Sequence, residues 1–205
     1  MSQERPILFS APMVRAILDG RKTQTRRAVN PQPVYRTDTA PAGWEFAPGD
    51  GGLYKWPEVE GFARAMSDFC PYGLPSDRLW VRETFFDTAP FKSADLFLGR
   101  ATRYAYRADD EFIGCHKWKP SIHMPRRASR ILLEVTAVRA ERLRDISEAD
   151  CVAEGAAGGH ASIPGYNYAA TPAEHYMHIW ESINGPGSWA ANPWVWVIEF
   201  RRAQP

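Results

Sequence analysis

Seven prolines, Pro31, Pro33, Pro41, Pro48, Pro57, Pro71 and Pro75, fall between residues 28 and 76. Proline fixes φ and has no backbone N–H, so a stretch this dense in it holds neither a long helix nor a central strand. The same stretch carries Trp44, Phe46, Tyr54, Trp56, Phe62, Phe69 and Tyr72, whereas disordered linkers are poor in aromatic residues. The pattern predicts an ordered, irregular insertion over 28–76, folded over a core built elsewhere. Two roles stand open for it: a lid, or a packed ornament that adds only stability. Regular structure must then come from the flanks.

The flanks supply it. Pro6-Ile7-Leu8-Phe9-Ser10 reads as a first strand entering a helix over 12–19, with Ser10 as N-cap and Gly20 as the left-handed residue that ends it. Residues 78–86 alternate, with Leu79, Val81, Glu83 and Phe85 on one face and Trp80, Arg82, Thr84 and Phe86 on the other. Glu83, sharing a face with core residues, is either paired to a cation such as Arg27 or part of a site. Residues 100–107 and 130–143 read as further strands. Ser147-Glu148-Ala149-Asp150 resembles a capping box opening a short helix that delivers Glu154, with Gly155 as its stop. Residues 156–171, rich in Gly and Ala, read as a mobile loop. Thr171-Pro172-Ala173-Glu174 starts a helix through Ile183 with Tyr176, Ile179, Trp180 and Ile183 on one face. A last strand, 194–200, is expected to close the sheet. No internal repeat appears, so residues 1–205 are expected to form one α+β domain with two embellishments: the insertion and a basic loop at 112–128.

Net charge is only +1, so no global field draws the chain onto nucleic acid, and any such binding must come from local clusters. Arginine outnumbers lysine about fourfold, which suits bidentate phosphate contacts and stacking on bases and is equally the bias that a GC-rich genome produces. Cys70, Cys115 and Cys151 are odd in number and widely spaced, as free thiols in a reducing cytoplasm would be. The N-terminus lacks the pattern of a signal peptide, and no apolar run reaches membrane-spanning length. A soluble cytoplasmic protein is expected, with no membrane partner.

Two basic segments carry the candidate chemistry. The run Gly20-Arg21-Lys22-Thr23-Gln24-Thr25-Arg26-Arg27 holds four cations, two hydroxyls and no carboxylate. It is either a solvated loop or an anion site, since close cations repel unless something negative compensates them. The same repulsion lowers the pKa of Lys22, the one cation able to lose a proton. A lysine neutral part of the time can serve as a general base, with Thr25 as nucleophile and Arg27 as oxyanion stabiliser. As a strand, this run places Thr23, Thr25 and Arg27 on one face, and leaves open whether Lys22 turns towards Thr25. Glu154, at a helix C-terminus, needs a cationic partner such as Lys22 or Arg27. The second segment, Lys117-Trp118-Lys119 with Arg126 and Arg127, interleaves cations with an aromatic, as base stacking plus phosphate contact requires. Cys115, His116 and His123 lack a fourth ligand at a recognisable spacing, so no metal and no cofactor is expected.

Gly20-Arg21-Lys22-Thr23-x-Thr25-x-Arg27 after a short helix resembles the signature of the ASCH domain, a small mixed β-barrel domain related to the PUA fold. Residues 146–155, ending in Glu154-Gly155, and the strand Trp194 to Phe200 resemble two further elements of that family in the same order. The Pro6–Ser10 opening and Asn184-Gly185-Pro186-Gly187 resemble a prophage-type member. The resemblance implies a PUA-like barrel with flanking short helices and long irregular insertions. It also implies action on nucleosides or RNA, most directly hydrolysis of the acyl amide of N4-acetylcytidine-type bases. Lys22, Thr25, Arg27 and Glu154 would be catalytic. Arg21, Arg26, Glu83, Lys117, Trp118, Lys119, Arg126 and Arg127 would bind substrate or nucleic acid. Binding of RNA or of a modified base, and metal-independent RNA cleavage, are the alternative activities on the same surface.

Overall fold

The computed structural model describes residues 2–36, 43–46, 54–55, 70–88, 103–109 and 117–203. In chain order the strands and helices are β1 (Glu4–Leu8), α1 (Ala11–Leu18), β2 (Gln24–Ala28), β3 (Val34–Arg36), β4 (Gly43–Phe46), β5 (Tyr54–Lys55), β6 (Arg78–Arg82), β7 (Phe85–Asp87), β8 (Tyr104–Tyr106), β9 (Leu132–Arg142), α2 (Glu148–Ala153), α3 (Pro172–Asn184) and β10 (Trp194–Arg202). The class is α+β, with the core mostly sheet. Within the proline-rich stretch, β3, β4 and β5 form a short antiparallel sheet; whether the stretch acts as a lid falls largely on residues outside those described.

The main sheet has the order β1-β6-β9-β10-β2. β1 pairs with β6 in parallel and every other neighbour is antiparallel. The last strand therefore lies inside the sheet, between β9 and β2, rather than closing it. Its bulky residues alternate, and that alternation divides the core. Trp196, Ile198 and Phe200 join Phe9, Val14, Ile17, Leu79, Val81 and Leu133 on one face. Val195 and Val197 join Cys151, Tyr176 and Trp180 on the other. α1 packs on the first face, and α2 and α3 on the second. No ladder joins β1 to β2 among the described residues; the two edges are linked instead by the Arg27 guanidinium, which donates to the Leu8 carbonyl at 2.5 Å.

Ser10 holds the N-cap position of α1 without a side-chain cap bond, whereas both predicted capping boxes form. Ser147 accepts from the Asp150 N–H while the Asp150 carboxylate answers the Ser147 N–H, and Thr171 with Glu174 repeats the arrangement. Gly20 and Gly155 end their helices at φ 74° and 92°, a region glycine enters without strain. The strand expected over 78–86 breaks at Glu83-Thr84, because Phe85 leaves the main sheet to pair with Tyr106 of β8 and with Lys119. The segment 156–171 is tied down by Ala156, Ile163 and Ala170, all buried, and by reciprocal backbone bonds between Gly159 and Ala170.

Candidate active site

The turn leaving α1 decides where Lys22 goes. Its backbone N–H bonds the Ala16 carbonyl, and the Thr23 N–H bonds Ala153 at the end of α2. These two ties lay the 20–23 turn against the C-terminus of α2. The Lys22 ammonium then donates to the Glu154 carboxylate at 2.7 Å and to the Glu154 backbone carbonyl at 2.8 Å. The lysine side chain is wholly inaccessible and that of Glu154 is 4% exposed. Burial holds the lysine below its ordinary pKa. Glu154 opposes that shift, and Arg27 and Arg26 add to it. The helix-end carboxylate thus finds the compensating cation its position requires.

Gln24, Thr25 and Arg26 of β2 are all buried. Alternation turns Gln24 and Arg26 towards α2. There Gln24 donates to Asp150, and Arg26 meets Glu141 at 2.5 Å, Asp150 at 3.2 Å and Glu154 at 3.3 Å. Arg139 extends the network to Glu141, Asp150 and Glu199. Three carboxylates from β9 and α2 therefore compensate Arg26 and Lys22, while Arg21 pairs with Asp19 at the surface. Arg27 differs from them. It points to the other face, has Leu8 O as an acceptor and lies 5.3 Å over the Phe9 ring. Its Nε is buried with no hydrogen-bond partner, and no carboxylate pairs with it among the described residues.

A cleft of about 400 Å³ opens between the edge of β2, Met13 of α1 and one side of α3. Thr25, Arg26, Arg27, Ala28 and Glu154 line it opposite Tyr176, Ile179, Trp180, Ile183 and Asn184. A second cleft of about 610 Å³, holding Arg21, Asp19 and His175, shares Met13, Glu154 and Ile179 with the first. The two form one groove between α1 and α3 that passes over Glu154. The Tyr176 hydroxyl, buried close to Glu154, has its pKa pushed well up, chiefly by burial. Such a site holds a hydroxyl (Thr25), a buried amine paired with a carboxylate, and a guanidinium that no carboxylate meets among the described residues.

The structure thus brings Thr25, Arg26, Arg27 and Glu154 to one groove, with Arg21 at its rim and Lys22 buried against Glu154 outside the groove's lining. It does not gather the other sequence candidates there. Glu83 pairs with Arg130 at 2.9 Å, not with Arg27, because the chain turns away at the β6–β7 break; burial raises its pKa against the pull of Arg130. Lys117 and Lys119 are exposed, and Trp118 lies 5.9 Å from the Arg107 guanidinium. Arg126 bonds Glu4 and Arg127 bonds the Tyr104 hydroxyl. Arg126 borders a separate cleft of about 700 Å³ with Arg130 and Arg202. Residues that sequence reasoning missed are Glu141, Arg139, Met13, Tyr176 and Trp180. The strand alternation carried a signal for Glu141, but its partner depends on strand register. Among the described residues, no group of three or more His, Cys, Asp or Glu is placed to hold a metal ion.

Neither protein-family models, curated proteins nor solved structures match this chain.

Proposed function

We propose that this is an ASCH-type protein of PUA-like fold that hydrolyses an acyl amide on a modified cytosine of the N4-acetylcytidine type. The observation that carries the reading is the buried Lys22–Glu154 pair lying behind a cleft lined by Thr25 and Arg27. Burial holds Lys22 below its ordinary pKa, as a general base requires. Lys22 in its neutral form takes the Thr25 hydroxyl proton and the Thr25 oxygen attacks the amide carbonyl. Arg27 donates to the oxyanion, and Glu154 relays the proton from Lys22 to the departing exocyclic nitrogen. Cytidine leaves, with an acyl-threonine and a neutral Lys22 remaining. Water then cleaves the ester: its proton passes to Lys22, which returns it to Thr25, and the acid departs. The aromatic Tyr176 and Trp180 give the base a wall to pack on.

The second reading, RNA binding or cleavage, draws support from the cleft bordered by Arg126, Arg130 and Arg202. Two of those arginines already hold intramolecular carboxylates, which weakens their pull on phosphate. The test is release of cytidine from N4-acetylcytidine by the purified chain, followed by chromatography, beside Thr25→Ala. Turnover lost in the variant is expected. Full activity in Thr25→Ala would remove the nucleophile, and no turnover of any acylated cytidine would remove the substrate class.

A further inference from the structure

Four consecutive residues, Thr25 to Ala28, line the cleft. Alternate side chains of a strand point to opposite faces, so an unbroken run lines a cleft only when the strand's edge looks into it. β2 is an edge strand of the main sheet, and its hydrogen-bond phase can be read from its ends. Val29 N–H donates to Trp194 O, and Phe200 N–H donates to Thr23 O. In the antiparallel register with β10 these are both directly opposed pairs, and bonded pairs alternate with non-bonded ones. Thr25 and Arg27 therefore spend their backbone groups on β10. The groups of Arg26 and Ala28 point outwards. β10 supports the phase: Leu143 N–H donates to Pro193 O, which assigns the odd-numbered residues of β10 to β9 and the even-numbered ones to β2. Outside the strand ladders, no backbone hydrogen bond to the N–H or C=O of Arg26 or Ala28 occurs among the described residues.

An extended residue presents its N–H and C=O side by side on one edge. That pair complements a planar ring whose edge carries an acceptor beside a donor, as cytosine does with N3 and the N4–H. The groove favours such a ring. Tyr176 and Trp180 line it opposite the strand. We propose that the outward backbone groups of Arg26 and Ala28 read the hydrogen-bonding edge of a pyrimidine in this cleft. The proposal rests on the reading of the protein as acting on acylated cytosine, and it assigns base recognition to main chain rather than to the basic side chains.

The test uses the whole chain labelled with 15N and titrated with cytidine, the product. The Arg26 and Ala28 amide protons are expected to move downfield, while those of Thr25, Arg27 and Val29, bound to β10, stay nearly fixed. Ala28→Pro deletes one outward donor at a position where an edge strand tolerates proline; it is expected to bind cytidine at least tenfold more weakly, with its unfolding temperature nearly kept. Cytidine binding that leaves both amide protons unmoved, or equal binding by Ala28→Pro, overturns the proposal. Binding of neither cytidine nor N4-acetylcytidine by the unaltered chain overturns the functional reading itself.

Discussion

Replacing Glu154 by glutamine tests the central pair directly. Arg26 keeps Glu141 and Asp150, so its charge stays compensated. Lys22 keeps only the backbone carbonyl of residue 154, and a buried ammonium without a counter-charge sheds its proton. Starting from an ordinary lysine at 10.5, holding it neutral at pH 7 costs about 5 kcal/mol at 1.36 kcal/mol per pH unit. This is a ceiling, and it falls within the roughly 3–5 kcal/mol typical of a broken buried pair. The sign follows from proton counts. The folded variant binds one proton fewer at Lys22 than its unfolded chain does, so its stability rises with pH. The unaltered pair keeps its proton, so the gap between the two proteins narrows to about 3 kcal/mol at pH 8. Urea unfolding followed by tryptophan fluorescence at both pH values reads this out. At about 2–4 °C per kcal/mol for a chain of this size, the thermal equivalent at pH 7 is roughly 10–20 °C. A loss under about 1 kcal/mol, or a gap that does not change with pH, would refute the assignment of Lys22 as a buried cation held by Glu154.

Arg27→Met is expected to lower turnover of N4-acetylcytidine by about 10²–10³-fold, the effect of removing one oxyanion donor; unchanged kcat would exclude that role. Ser147→Ala removes the cap of the helix that delivers Glu154 and should destabilise by about 1 kcal/mol, measured as a drop of a few degrees in Tm. Gly155→Ala places a Cβ 3.3 Å from that of Ala16 at φ +92°, so a loss above about 1 kcal/mol is expected, and equal stability would contradict the geometry. Burial pushes the Cys70 and Cys151 thiols up to about 11, so peptide mapping after thiol labelling at pH 8 should find both unmodified until urea unfolds the chain.

Elements set by short-range chemistry were legible in the residue order. Both capping boxes, the glycine stops at Gly20 and Gly155 and the alternating strands at 78–82 and 194–200 each depend on residues within a turn or a strand repeat of one another. The described part of the insertion holds only the short strands β3, β4 and β5, in keeping with its prolines. The expectation that Glu154 needs a cation was likewise local, because a helix C-terminus disfavours a carboxylate wherever it lies.

Which cation answers it was not local. Arg26, not Arg27, joins Lys22 at Glu154, because the sheet turns even-numbered residues of β2 towards α2 and α3 and odd-numbered ones towards Phe9. Alternation says which residues share a face, but only packing says what that face meets. Glu83 found Arg130 for the same reason: the chain leaves the main sheet after β6, and no periodicity marks that exit. Lys22 and Glu154 are 132 positions apart, as the outward edge of β2 is far in sequence from the α3 wall that makes it a cleft. Contacts at such separation are fixed by strand order and register, which arise when two apolar faces of one sheet are buried together. Residue order names the groups, and the folded sheet decides that Lys22 is buried, that Arg27 meets no carboxylate among the described residues, and that the outer edge of β2 borders the groove.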